Sequence, residues 1–212
     1  YDDDNVSNYV TDSYGATLNY SYPIDETKRL SAGLNVDNTK VRGGRYLGIS
    51  NVQEILDEGG TKTPEVDTDG VATFKNDYQT YNLLFGWDYS TLDRPVFPTK
   101  GMSHAVDATI GLGDANYQKL TYSGNIYYPI YKDVIARGYT KLGYGNDLPF
   151  YENFYAGGYG SVRGGSVRGY EASTLGPKSQ VYLDAVNADR RFTDEDIGGN
   201  ALATFGAELI LP

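Results

Sequence analysis

The 212 residues include 26 glycines, 21 tyrosines, one tryptophan and no cysteine, a composition that points away from a helix-rich cytosolic fold and removes disulfides and thiolate metal sites from consideration. The net charge of −10 argues against a nucleic-acid partner, since a phosphate backbone would be repelled over most of the surface and no basic stripe offsets the repulsion. Mean hydropathy is −0.48, and the chain holds no run of about 18 apolar residues; neither fact excludes a membrane barrel, whose strands need only about 10 residues each and touch lipid with alternate side chains.

The chain opens on the acidic run Asp2, Asp3, Asp4 with neither Met nor an apolar leader, and reads as a segment of something longer. From Tyr14 to Tyr22, one face carries Tyr14, Ala16, Leu18, Tyr20 and Tyr22 and the other Gly15, Thr17, Asn19 and Ser21. Such period-two alternation predicts a strand with an oily and a polar side. After a turn over 23–29, Leu30, Ala32, Leu34 and Val36 repeat the pattern against Ser31, Gly33, Asn35 and Asp37. A long loop is then predicted over 39–77, with Ile49, Val52, Ile55 and Leu56 at helical spacing, Ser50 as N-cap and Gly59-Gly60 as the stop of a short surface helix.

Further alternating rows follow at Tyr81, Leu83, Phe85, Trp87 and Tyr89, at Val106, Ala108, Ile110 and Leu112, and at Leu120, Tyr122, Ile126 and Tyr128. A turn over 91–101 separates the first two rows, and a tight connection over 113–117 the next two. Beyond a turn over 129–133, residues 134–142 put Arg137 and Lys141 on one side, which must be the lumenal side because neither tolerates lipid. A second long loop is predicted over 145–199. The last row, Ala201, Ala203, Phe205, Ala207, Leu209 and Leu211, leaves Glu208 pointing inward.

About seven strands joined by alternately short and long connections predict an all-β, antiparallel transmembrane barrel of the outer-membrane type, with residues 1–212 as part of one barrel domain. The long loops would be extracellular, the short turns periplasmic. Tyrosines near strand ends (Tyr14, Tyr20, Tyr22, Tyr81, Tyr89, Tyr127, Tyr128) suit a headgroup-level girdle. An odd strand number cannot close in the even-numbered way of bacterial single-chain barrels, so more strands are expected elsewhere in the complete protein.

The second long loop contains Phe150-Tyr151-Glu152-Asn153-Phe154-Tyr155-Ala156-Gly157-Gly158, then Val162-Arg163-Gly164 and Val167-Arg168-Gly169-Tyr170, then Thr174-Leu175-Gly176-Pro177. With Leu92-Asp93-Arg94 and Phe97-Pro98-Thr99-Lys100-Gly101 in the turn before the fourth apolar row, the chain resembles the BamA family, the barrel subunits of the β-barrel assembly machinery, over most of its length. The resemblance implies a V-R-G-[FY] tip folded back into the lumen, with its Arg paired to an inward Glu. An Arg held there needs an acidic partner, because desolvating an unpaired ion costs several kcal/mol, and Glu208 is the candidate. The sequence departs from the family in one respect: Gly160-Ser161-Val162-Arg163-Gly164 is repeated at once as Gly165-Ser166-Val167-Arg168-Gly169. Arg163 fits the motif from upstream and Arg168 from downstream; Arg168, followed by Tyr170, is the expected clamp.

The resemblance further implies an insertase without covalent chemistry, in contact with outer-membrane lipid, nascent barrel clients and periplasmic assembly lipoproteins. A two-partner-secretion-type transporter or a passive pore is the alternative, since such transporters share the loop motif and porins the strand pattern. An enzyme ranks behind both. His104, the single histidine, has no triad or metal-motif context and suits an interfacial strand end; Asp194-Glu195-Asp196 and the run at 2–4 lack calcium-loop spacing and suit solvated loop charge. The glycines around 157–169 do not join a strand to a helix, so no phosphate cradle and no cofactor are expected.

Overall fold

The computed structural model describes residues 9–43, 48–66, 72–132, 134–161, 163–180 and 192–211. The acidic run at 2–4 and Val162 lie outside the described residues, as do the side chains of Asp194 and Glu195. In chain order the elements are β1 (Tyr9–Pro23), β2 (Lys28–Gly43), α1 (Ile49–Asp57), β3 (Thr61–Val66), β4 (Ala72–Ser90), β5 (Gly101–Gly113), β6 (Tyr117–Tyr131) and β7 (Val134–Asn146). The short β8 (Ala156–Gly157), β9 (Gly165–Ser166), β10 (Lys178–Gln180) and β11 (Phe192–Asp196) follow, and β12 (Ala201–Ile210) ends the described fold.

Seven of these strands form one antiparallel wall in the order β1-β2-β4-β5-β6-β7-β12, with β3 pairing β4 beside it. Register explains why the alternation matters. Tyr20, Ala32, Phe85, Ala108, Leu120, Tyr144 and Ala201 stand opposite one another in a single row across the whole wall. Because a one-residue slip would exchange the two faces, this row pins the pairing. The apolar face is bare: Leu18 is 75% exposed, Leu34 56%, Phe85 50% and Ile110 36%. A water-soluble chain does not leave so continuous an oily surface uncovered, so it is the strands that meet lipid; among the described residues no helix is long and apolar enough to cross a membrane.

The buried core sits on the opposite, inner face at the long-loop end. There Val41 of β2 and Phe74 and Tyr78 of β4 meet Val52 and Ile55 of α1, Ala115 and Tyr117 beside the tight connection, and Phe150 and Tyr151 of the second loop. Burial of each large side chain contributes about 1.5–3 kcal/mol, enough to hold a loop helix that local propensity alone would not. Instead of lying free on the surface, α1 thus buries one side, with Leu56 on the other 44% exposed. Its N-cap is Gly48, without a side-chain hydrogen bond, and Ser50 lies inside the first turn. Gly59, with φ of 87°, ends it as expected for a glycine just past a helix.

Strand boundaries, and the face of one tyrosine, differ from the sequence reading. The wall continues through the ends of the first long loop, to Gly43 and from Ala72, because backbone pairing persists where outward residues turn charged (Lys40, Arg42, Lys75, Asp77). The third short turn narrows, since β6 runs to Tyr131 and β7 starts at Val134. Tyr127 belongs to the inner face, 5.6 Å beneath the Arg137 guanidinium, and so leaves the girdle. Nearby on the outer face, Trp87, Tyr89, His104 and Tyr122 stack successively at 6.2, 6.0 and 6.0 Å, and His104 Nδ1 lies 2.8 Å from the Tyr122 hydroxyl. His104 is therefore the β5 member of an aromatic row that runs from β4 to β6.

Candidate functional site

The second long loop folds inward from the mouth. Leaving β7, it makes a 3-10 turn at Phe150–Glu152, bridges Phe154 to Gly199, and then pairs β8 with β9 in parallel, Ala156 opposite Gly165 and Gly157 opposite Ser166. Close approach is possible because glycine stands at the contacts: Gly157 has φ of 151°, and a Cβ on Gly165 would strike the Thr204 side chain of β12. Gly158 donates its N–H to Glu171 at 2.6 Å and Val167 donates to Gly157 at 2.5 Å. Ser161 donates to the Gly158 carbonyl at 2.8 Å and accepts the Ser173 N–H at 2.9 Å.

The two identical pentapeptides end on different carboxylates. Arg168 Nη2 lies 2.9 Å from Glu208 Oε1, while the other Glu208 oxygen lies 3.1 Å from Arg137 Nη1. Arg137 stands directly across from Glu208 in the β7–β12 register, binds Asn125 Oδ1 at 2.8 Å, and is sandwiched between the rings of Tyr127 and Tyr139. Arg163 instead reaches Glu152 Oε2 at 3.3 Å, the same oxygen that Lys119 of β6 holds at 2.9 Å. Between the copies, Lys141 of β7 donates to the Gly164 carbonyl at 2.7 Å. A cavity of about 570 Å³ opens beside the second copy, lined by Arg137, Tyr139, Tyr159, Arg168, Tyr170 and Glu208.

The motif's remaining residues serve unequal parts. Gly169 has φ of 88°, a left-handed bend that a side chain would strain, whereas Tyr170 is 56% exposed at the edge of the cavity. Arg168 itself is 82% exposed, against 30% for Arg137 and 17% for Glu208, so most of the desolvation at this site falls on the wall pair. Asp196, expected as solvated loop charge, is only 6% exposed and pairs with Lys178 at 3.4 Å, because β11 folds back on β10.

At the short-turn end, Asp93 organises the turn between β4 and β5. It accepts the Thr99 hydroxyl at 2.6 Å, the Thr99 N–H at 2.9 Å and the Lys100 N–H at 3.3 Å, and these bonds hold its carboxyl well below the usual range. Arg94 adds only a long exposed contact of 3.5 Å. Phe97, with φ of 51°, is 85% exposed next to Pro98, and Gly101, with φ of 104°, packs where a Cβ would strike the Thr91 carbonyl.

Sequence reasoning missed Lys119, Glu152 and Glu54. Strand parity could have found the first, since Leu120 faces out and Lys119 must face in. Glu54 of α1 accepts the Phe150 N–H at 2.9 Å and ties the two long loops together; burial pushes its pKa up, against that hydrogen bond. These contacts bind and hold; among the described residues no group of three metal-ligating side chains comes together.

A profile of the Omp85 superfamily domain matches residues 1–212. The chain is similar to the outer membrane protein assembly factor BamA of Neisseria meningitidis serogroup B, with 32% identity over 218 aligned positions that cover 98% of this chain and 24% of that protein. It thus spans about a quarter of that relative's length. Its fold matches the crystal structure of BamA from Haemophilus ducreyi lacking POTRA domains 1–3 with a TM-score of 0.81, at 26% identity, covering 96% of this chain and 38% of that one.

Proposed function

Because the chain belongs to the Omp85 superfamily, we propose that it is the wall segment of an outer-membrane barrel that folds and inserts other barrel proteins. The observation that carries this reading is the likeness, along nearly the whole chain, to a protein named for outer-membrane protein assembly. On this reading the long loops face outward from the cell and the short turns face the periplasm.

The residues of this segment supply three parts of that machine. The outer face anchors it in lipid. The Arg168–Glu208–Arg137 contact fastens the second loop to the wall, as a carboxylate shared by two guanidinium groups can do with directional, charge-assisted bonds. The apolar cap of α1, Tyr78, Phe150 and Tyr151 packs over the inner face at the long-loop end. Client insertion needs no bond to be made or broken; it needs a wall that stays intact while strands pair elsewhere on the barrel. Nascent barrels and periplasmic assembly lipoproteins are the partners this role requires.

A steadily open passive pore is poorly supported, because the cap fills the inner face at the mouth. Depleting the complete protein separates the other readings. Loss of many unrelated outer-membrane barrels supports the insertase; loss of one exported substrate, with barrel assembly intact, overturns it in favour of a secretion transporter.

A further inference from the structure

On the outer face, above the apolar band, β2 and β4 carry charge. Two residues beyond the Asn38–Gln79 pair, Asp12, Lys40 and Asp77 stand in one row, and Lys40 lies 3.9 Å from Asp77. The next row is Val10, Arg42, Lys75 and Thr61, where two cations face each other directly and neither flanking strand offers an anion. Like charges opposite one another in a sheet repel, and both side chains are exposed. A groove of about 330 Å³ lies among Lys40, Arg42, Lys75, Asp77 and the Gly59–Thr61 backbone.

The position of this groove identifies its occupant. Arg42 is six residues beyond Val36, the last apolar residue of β2 on that face. That is about 20 Å along the strand at about 3.3 Å per residue, or about 14 Å of height at a barrel tilt of about 45°. Headgroups, rather than acyl chains, occupy that level. We propose that Arg42 and Lys75, with Lys40 at the rim, bind a phosphate of a phosphorylated glycolipid in the outer leaflet. The guanidinium supplies a two-pronged contact and the ammonium a point charge. Neutralising the pair removes a repulsion that the described residues of that row leave standing. Since sidedness comes from the outer-membrane placement, the inference rests on that reading.

The test uses the complete protein purified in detergent and native mass spectrometry with bisphosphorylated lipid A, dephosphorylated lipid A and inorganic phosphate as probes. Wild type retains bisphosphorylated lipid A; the Arg42→Gln, Lys75→Gln double variant retains about tenfold less, and Arg42→Lys keeps most of it. Equal retention by wild type and double variant overturns the proposal, as does equal retention of the dephosphorylated lipid. Full displacement by inorganic phosphate also overturns it, making the groove a free-phosphate site. Should the double variant fail to fold, judged by heat-modifiable mobility, Lys75→Gln alone carries the comparison. A failure of the underlying placement shows separately, as absence of the complete protein from the outer-membrane fraction.

Discussion

Arg163 and Arg168 occupy the same place in two identical pentapeptides, yet Arg163 closes on Glu152 within the loop and Arg168 on Glu208 of the wall. The repeated pentapeptide therefore gives the loop two fastenings. The two differ in environment: Arg163 shares its carboxylate with Lys119, whose side chain is 13% exposed, whereas Arg168 shares Glu208 with Arg137 and reaches it from a largely solvated position.

Truncations should rank accordingly. Arg168→Ala removes an exposed partner and should cost about 1 kcal/mol or less of loop docking. Glu208→Ala leaves Arg137 half-buried without its anion and should cost about 3 kcal/mol. Hydrogen exchange over 156–170 in the complete protein checks this. Equal acceleration in the two variants would contradict the ranking, and so would a normal loop in Glu208→Ala.

The repeat also offers an internal control. Gly160 and Gly165 open the two copies, but Gly160 has nothing within 4 Å of a built Cβ, while Gly165 rests on Thr204. Gly165→Ala should lift the loop off β12 and raise protease cleavage within it. Gly160→Ala meets only the strain of its φ of 91°, about 1–2 kcal/mol for a left-handed residue, and should leave the Gly165–Thr204 contact in place. A limited-proteolysis series reads the difference.

The cap should tighten on acidification. Burial raises the pKa of Glu54 above its ordinary value near 4.5. A raised folded-state value means that this group's contribution is fully present below the unfolded value and is lost as pH climbs through the folded one. Amide exchange at 150–155, corrected for intrinsic rates, should therefore show more protection at about pH 5 than at about pH 8. Glu54→Gln, whose amide oxygen can still accept the Phe150 N–H, should flatten that dependence; an unchanged slope would remove Glu54 as its cause.

The short turns should respond in the opposite sense. Asp25 is held at about 2 by the Thr27 hydroxyl and N–H, with Lys28 adding to them, and Asp93 is depressed by Thr99 in the same way. Each stabilises its turn above the unfolded carboxylate value and loses that effect only as pH falls through the depressed one. Asp93→Ala should expose the turn between β4 and β5 to protease at neutral pH, and Asp93→Asn should restore part of the protection, since an amide oxygen accepts fewer of these bonds. Indifference of the turn to Asp93→Ala would show that Pro95 and Pro98 suffice.

Depth on the wall sets the penalty for charge. Leu34→Arg places a cation on the apolar face and should cost about 2–4 kcal/mol of folding stability in lipid. Asn35→Arg, one residue on and facing inward, should cost much less. Urea titration of the complete protein in vesicles compares them, and equal effects would mean that the faces are misassigned.

Alternation alone determined which residues point outward. Leu18, Leu34, Phe85 and Ile110 are legible as lipid-facing because a strand sends every second side chain to one side whatever its neighbours are. The inward placement of Arg137, Lys141 and Glu208 follows from the same parity. Only the tertiary structure decided which partners these charges meet. Glu152 and Glu208 are both acidic and 56 positions apart in the chain; apart from the Tyr170 that follows the second copy, nothing local tells Arg163 from Arg168. Their assignment depends on where β6, β7 and β12 bring Lys119, Arg137 and Thr204, and on whether glycine lets the loop approach them. The ends of β2 and β4 were hidden for a related reason: beyond the bilayer, pairing is kept by backbone hydrogen bonds, and those leave no hydrophobic period to read.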